Sequence, residues 1–362
     1  MRLGPDIAER MNRARADLRA GVPVVLTDPA GDALVFAAET VGPGRLAAAE
    51  GIGPSILAIT NRRAETLKTP AYDGDLARIE VPAGAGVGWV GAVADPASDL
   101  DAPMKGPFRH VRTGSAAVAR AAIGLVKSAR LLPAAVILPH DGALGLAMAE
   151  GLTVLSGPEV LAALGAPVAL HPVVHARLPM SVSEAGRLHV FRPEDGGEEH
   201  YAVEIGQPAR DRPVLARLHS ACFTGDLLGS LKCDCGPQLR GALAQMAAEG
   251  AGVLLYLNQE GRGIGLANKM RAYSLQDQGF DTVEANHRLG FEDDERDFRL
   301  GAAILRRMGF GAVRLLTNNP AKIRMMEANG IEVAERVPLK VGKTAHNAGY
   351  LATKAAKSGH LL

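Results

Sequence analysis

Cysteine occurs three times in these 362 residues, and all three fall in one stretch, Cys222-Phe-Thr-Gly-Asp-Leu-Leu-Gly-Ser-Leu-Lys-Cys233-Asp-Cys235-Gly. Thiols spaced C-x10-C-x-C on a loop rich in glycine and aspartate can converge on one metal ion. A structural zinc usually closes its shell with a fourth protein ligand, whereas a catalytic zinc keeps a position open for water. The chain has no fourth cysteine, so the sharper reading is an open, hydrolytic zinc. The plainer alternative is three reduced, buried thiols. A disulfide fits least: one cysteine would be left over, and Met1-Arg2-Leu3-Gly4-Pro5-Asp6 has no apolar signal-peptide core.

Four further stretches are dense in reactive side chains. Arg217-Leu218-His219-Ser220 leads into the first cysteine, and Gln259-Glu260-Gly261-Arg262-Gly263-Ile264-Gly265 is rich in glycine. Backbone amides beside those glycines could approach a phosphate, with the Arg262 guanidinium adding a bidentate contact. The same residues could also form a plain strand-to-helix turn. Asp293-Asp294-Glu295-Arg296-Asp297 reads by itself as a solvated helix face. In Thr317-Asn318-Asn319-Pro320-Ala321-Lys322 the lysine at a helix start could hold a phosphate or stand in solvent.

The elements that must position these groups fall into two styles, changing near residue 170. Before it, buried strands such as Pro23 to Thr27 and Ala135 to Leu138 alternate with Ala-rich helical stretches such as Ala116 to Ala129. After residue 200, a strand over Gly252 to Leu257 precedes a helix over Leu266 to Gln276. A helix is expected from around Asp294 to a stop at Gly309, then a strand over Val313 to Leu316. Asn319 then suits an N-cap and Pro320 a first helical residue, with Gly330 as the stop. The fold class expected is α/β (α+β) in two domains, 1–170 and 171–362, with ligands at the strand ends.

Forty basic residues against thirty-nine acidic ones give a formal charge of +1, so no global field points to nucleic acid. The longest apolar runs, Ala134 to Leu138 and Gly142 to Met148, are too short to span a bilayer. A cytoplasmic protein without nucleic-acid or membrane partners is expected.

Taken together, Arg217-Leu-His-Ser, Cys222-Phe-Thr-Gly-Asp, Gly229-Ser-Leu-Lys-Cys-Asp-Cys-Gly236, Gln259 to Gly265, Arg271-Ala-Tyr-Ser-Leu-Gln-Asp-Gln-Gly279, Asp281-Thr-Val-Glu-Ala-Asn286 and Leu316-Thr-Asn-Asn-Pro320 resemble GTP cyclohydrolase II. The resemblance runs from about residue 174 to Gly359-His-Leu-Leu362 and is specific, because the motifs keep their order and near-continuous register. It implies one zinc per chain on Cys222, Cys233 and Cys235, magnesium with the GTP triphosphate, and a homodimer. It also implies that GTP is bound by Arg217, Leu218, His219, Ser220, Ala221, Gln238, Glu260, Gly261, Arg262, Thr282, Thr317 and Lys322. Asp294 matches the family's proton acceptor, Arg296 its proposed nucleophile and Tyr273 its active-site tyrosine. Ala221 stands where the family often has Glu, and Asn258 where it often has Arg.

The reaction so implied is ring opening of GTP at C8, loss of formate and release of pyrophosphate, at the start of riboflavin synthesis. Arginine holds its proton well above neutral pH, so Arg296 could equally clamp a phosphate without bonding to it. Alternatives are a related cyclohydrolase that stops at the formamide or serves another pathway, and a non-catalytic nucleotide-binding regulator.

The first half is similar, more faintly, to 3,4-dihydroxy-2-butanone-4-phosphate synthase, through Arg13 to Asp28 and Ala37-Ala-Glu-Thr40. Active members of that family carry a long acidic run between these pieces and a later Arg-x-Gly-His-Thr. Here the linker is Pro29-Ala-Gly-Asp-Ala-Leu-Val-Phe36, and Gly-His-Thr is absent. Enolising a sugar phosphate on magnesium needs those groups. The expectation for this half is a degenerate, non-catalytic domain.

Overall fold

The computed structural model describes residues 3–342 apart from Asp101, together with Thr344, Asn347, Gly359 and Leu361. The matches at His360 and Leu362 and the first two residues lie outside these. In chain order the first elements are α1 (Ile7–Arg19), β1 (Val24–Thr27), β2 (Ala33–Ala37), α2 (Pro43–Ile52), β3 (Ile56–Thr60), α3 (Asn61–Thr66), β4 (Leu76–Glu80) and α4 (Gly86–Ala94). Then come α5 (Ala117–Ser128), β5 (Ala134–Pro139), α6 (Ala143–Glu150), β6 (Val154–Ser156) and α7 (Gly157–Gly165). The second half contributes β7 (Leu170–Arg177), β8 (Gly186–Pro193), β9 (His200–Ile205), β10 (Val214–Ser220), α8 (Cys235–Glu249) and β11 (Gly252–Leu257). It ends with α9 (Leu266–Asp277), α10 (Thr282–Leu289), α11 (Arg299–Arg307), β12 (Ala312–Leu316), α12 (Pro320–Ala328) and β13 (Glu332–Val337).

The fold is mixed α/β with two sheets, as the alternating patterns predict. One has six strands in the order β4-β3-β5-β2-β1-β6, the other seven in the order β13-β12-β10-β11-β9-β8-β7. Successive side chains point to opposite sides, and the central strands of each sheet are buried on both faces, whereas β7 at the edge of the second sheet is exposed beyond Leu170. In β1, Val24 and Leu26 enter one core and Val25 the other. In β10, Val214, Ala216 and Leu218 pack with α11 and α12 while Leu215 packs with α8. Among the described residues no helix is long and apolar enough to cross a membrane.

The chain forms two compact units, residues 1–166 with 267–295, and residues 167–266 with 296–362. One boundary lies close to the change of style near residue 170. The segment carrying most of α9, all of α10 and Asp293 to Glu295 of the acidic run belongs with the first unit, which no composition shift foretells.

The helix expected from Asp294 begins only at Arg299. Asp293 and Glu295 are spent on the preceding loop, and Asp297 meets the first amide of the helix. Asp297 Oδ1 accepts Arg299 N at 2.9 Å and also binds its guanidinium, Glu295 accepts Glu292 N at 2.9 Å, and Asp293 Oδ1 meets His287 Nε2 at 2.7 Å. Such short-range carboxylate turns compete with helix formation. The later signals hold: Asn319 caps α12 through Ala321 N at 2.9 Å, Pro320 opens the helix, and Gly330 follows it at φ +75°.

Candidate active site

In the second unit β10 pairs in parallel with β11 and β12, so three strands deliver their carboxyl ends to one edge. The period of two places Arg217 and His219 on the α8 face of β10, and both are buried. Arg217 Nη1 donates to Leu316 O at 2.9 Å, and Nη2 donates to Gln238 Oε1 at 2.5 Å. Gln238 Nε2 in turn donates to Asp234 Oδ2 at 2.5 Å. Arg217 Nε is buried with no hydrogen-bond partner among the described residues. Burial pulls the guanidinium down to about 10; Asp234 and Cys235 oppose the fall and Arg296 adds to it. Arg217 therefore stays cationic at neutral pH.

His219 lies opposite Tyr256 in the β10–β11 register, and the two rings stack with centroids 5.6 Å apart. Both grip one carboxylate. His219 Nε2 is 3.0 Å from each oxygen of Asp226, and the Tyr256 hydroxyl donates to Asp226 Oδ2 at 3.0 Å. The same Oδ2 accepts Cys222 N at 3.0 Å, which ties this buried network to the first cysteine. Burial lowers the His219 pKa; burial and the Asp226 charge raise that of Tyr256.

Beyond Ser220 the chain makes one wide turn, with Leu228 N donating to Phe223 O and Asp226 N to Cys222 O. Turns with i→i+5 bonds are rare and are frequent at functional sites. Gly225 N donates to Cys222 Sγ at 3.3 Å, and the three cysteine sulfurs lie within 4.8 Å of one another. A Cβ on Gly225 would stand 2.7 Å from Cys233 Sγ and 3.0 Å from Cys222 Sγ. One on Gly236 would stand 2.1 Å from Gly225 O. Only glycine permits this approach.

Contact with Cys222 and then Cys233, together with burial, drives the Cys235 thiol well above its ordinary range. The metal-binding form is the thiolate, so three such sulfurs can ionise together only around a cation. The three-sulfur donor set and its glycine cradle fit zinc, and no fourth protein ligand joins them among the described residues.

The other strand ends add cations and turns. Lys322 Nζ donates to Leu218 O at 3.0 Å and lies 5.0 Å from the Phe298 ring, over which Arg296 also sits at 4.8 Å. Arg296 Nη1 donates to Ser220 Oγ at 3.4 Å, and Ala221 N donates to Leu257 O at 2.8 Å. The Leu218 side chain is in the core, and the buried Thr317 Oγ1 accepts Asn319 N at 3.0 Å. In the glycine-rich loop, Glu260 Oε2 accepts Phe223 N and Oε1 accepts Gly261 N.

Gly263 N and Gly265 N donate to Gln259 O and Glu260 O, so three amides offered by the sequence as a phosphate cradle serve the loop itself. Gly261, Arg262 and Gly263 all have positive φ, a run that explains the glycines without a ligand. Asn258 donates through N to His200 Nδ1 and through Nδ2 to Glu199 O.

Tyr273, Thr282 and Asp294 lie in the first unit. Tyr273 is half-buried on α9 with Lys269 Nζ 5.7 Å from its ring. Thr282 opens α10 beside the Asp281–Glu284 capping box and accepts Gln276 Nε2 at 3.3 Å, while Asp294 is exposed.

Sequence reasoning missed Asp226 and Tyr256. Their signals were faint: an aspartate four residues beyond Cys222, and one hydroxyl in the aliphatic run Gly252 to Leu257. Only the β10–β11 register shows that they meet.

A family model for GTP cyclohydrolase II matches residues 171–338. GTP cyclohydrolase-2 of Azospirillum brasilense is 45% identical over 359 residues, spanning 97% of this chain and 93% of that protein. GTP cyclohydrolase-2 of Escherichia fergusonii is 60% identical over 166 residues, 46% of this chain and 84% of that one. A two-domain 3,4-dihydroxy-2-butanone 4-phosphate synthase of A. baumannii superposes over 92% of this chain and 100% of that one at 19% identity, with a TM-score of only 0.34. With the cysteine cluster in place and a relative matching nearly end to end, the chain belongs to the GTP cyclohydrolase II family.

Proposed function

We propose that this enzyme is a zinc-dependent GTP cyclohydrolase II that converts GTP to 2,5-diamino-6-(5-phosphoribosylamino)pyrimidin-4(3H)-one, formate and pyrophosphate, the entry to riboflavin synthesis. The observation that carries the reading is the convergence of Cys222, Cys233 and Cys235 at the carboxyl end of β10, in a chain 45% identical to a GTP cyclohydrolase-2. Zinc on these three thiolates supplies a water activated at neutral pH.

The chain's own residues do the rest. Arg217, Arg296 and Lys322 gather positive charge around the end of β10 and suit the triphosphate, with magnesium as its companion ion. Arg296 acts as a clamp on the α-phosphate, since a guanidine rarely loses its proton. Asp294 accepts a proton, and Tyr273 moves one at the formamide in the second hydrolysis. Residues 171–362 form the catalytic domain. Residues 1–170 are a degenerate relative of the butanone-phosphate synthases with no chemistry of their own. The working form is a cytoplasmic homodimer with no nucleic-acid or membrane partner.

The direct test is purified protein with GTP, zinc and magnesium, following formate and the diaminopyrimidine. Both should appear in equal amounts. Formamide accumulation without formate would favour the truncated reaction, and no consumption of GTP would end the proposal.

A further inference from the structure

Residues 267–295 are flanked in sequence on both sides by the second unit, yet they group with the first. Specific polar contacts hold them there. Arg271 of α9 donates through Nε to Asp95 Oδ2 at 3.0 Å, through Nη2 to Glu39 Oε1 at 3.0 Å and through Nη1 to Asn268 Oδ1 at 2.8 Å. Neither carboxylate is loose. Glu39 Oε2 accepts Leu132 N at 2.7 Å, and Asp95 Oδ1 accepts Ala97 N at 2.9 Å. The fully buried Asn268 donates to Arg130 O at 3.1 Å. At the other end, Thr60 Oγ1 donates to Gly290 O at 2.8 Å, and Arg62 donates to Glu292 Oε2 through both Nε and Nη2. A Cβ on Gly290 would stand 2.8 Å from the Thr60 hydroxyl, so the approach is close as well as polar.

Exposed ion pairs contribute little, but Arg271 and Glu39 are only 23% and 17% exposed, and a guanidinium shared by two fixed carboxylates defines an orientation. Tyr273 stands two residues beyond Arg271 on the same helix, and Asp294 two residues beyond Glu292. From this we infer that the N-terminal half is a positioning platform for the reaction. Glu39 and Asp95, acting through Arg271, set the orientation of α9 and hence of Tyr273. Thr60 and Arg62 set the loop that carries Asp294. The inference rests on the assignment of Tyr273 and Asp294 to the chemistry. Glu39 and Asp95 are positioning residues, and a displacement of about an ångström at a reacting group can cost about 100-fold in rate.

The test uses full-length, zinc-loaded protein carrying Glu39→Gln with Asp95→Asn. The kcat for formate release should fall about 10- to 100-fold, while zinc content and KM for GTP stay near the parent values. Amide exchange should quicken within 267–295. The double-mutant cycle of Glu39→Gln with Tyr273→Phe should be strongly non-additive, which a merely structural role would not produce. If the carboxylate pair variant fails to fold, Arg62→Gln makes the same test at the Asp294 end. Unchanged kcat, or additive effects with Tyr273→Phe, overturns the inference and leaves the proposed function standing. Absence of formate release by the parent protein removes both, and that failure shows before any substitution is made.

Discussion

At the carboxyl end of β10, polar groups find partners on several elements, from the adjoining turn to strands 30 and 99 positions away. Asp226 takes hydrogens from His219, Tyr256 and Cys222 N, and Arg217 reaches Gln238 on α8 and Leu316 O on β12. At the carboxyl end of β1, Thr27 Oγ1 donates to Leu155 O at 3.4 Å, but the carboxylates of the turn that follows bond within it. Asp28 Oδ1 accepts Ala30 N at 2.9 Å and Asp32 Oδ1 accepts Asp28 N at 3.2 Å, closing a short turn into β2. Both strands are buried on two faces and alternate in the same way. The strand core therefore does not decide whether its end does chemistry. Side chains satisfied by their own turn shape a loop, whereas side chains satisfied across several elements converge on a site.

The sharpest way to break this contrast is at the cysteines. Cys233→Ser removes one of three donors from a set with no fourth protein ligand among the described residues. Zinc content should drop from one per chain to near zero, and GTP consumption should vanish with it. Chelation of the parent protein should give the same loss and zinc should restore it. Full turnover by a verified zinc-free preparation would remove the β10 end from the chemistry altogether.

A smaller effect is expected one shell out. Asp226→Asn keeps the shape and an oxygen for Cys222 N but loses the charge that faces His219 and Tyr256. Groups that orient a metal ligand typically change metal affinity by about 10- to 100-fold. Competition with a chromophoric chelator should show a loss of that size, with the protein still folded. An unchanged affinity would mean that the buried network stabilises β10 and does nothing for the metal.

How much of this was open to a reader of the sequence differs by residue. The strand over Gly252 to Leu257, the Asn319 cap and the cysteine convergence follow from local pattern, because spacing and turn chemistry act over a few residues. The Asp226 network does not, because it depends on which residue of β10 stands opposite Tyr256. The helix starts at Arg299 and not at Asp294 because Asp293 and Glu295 find partners within the preceding loop. The Gly261–Gly265 stretch suits either a phosphate or a plain turn by its sequence; Gly261, Gly263 and Gly265 donate their amides to Gln259 and Glu260. The grouping of 267–295 with the first unit is invisible for a like reason: Arg271 finds Glu39 across 232 positions of chain.

The smallest effect belongs at the end of β1, and there the comparison is most exposed. Asp28→Asn with Asp32→Asn leaves an acceptor oxygen at each position, so both turn hydrogen bonds can persist and only two charges are lost. Surface changes that keep their hydrogen bonds usually stay within about 0.5 kcal/mol, which in a domain of this size moves Tm by about 1–2 °C. Formate release should be unchanged, because these carboxylates close their hydrogen bonds within residues 28–32. The parent protein should also give no product from ribulose 5-phosphate, since the reaction needs a magnesium-binding carboxylate cluster that a five-residue turn cannot assemble. If the paired substitution cut GTP turnover severalfold at constant Tm, carboxylates satisfied at home would be acting at a distance. Local satisfaction would then fail as a mark of the silent strand end.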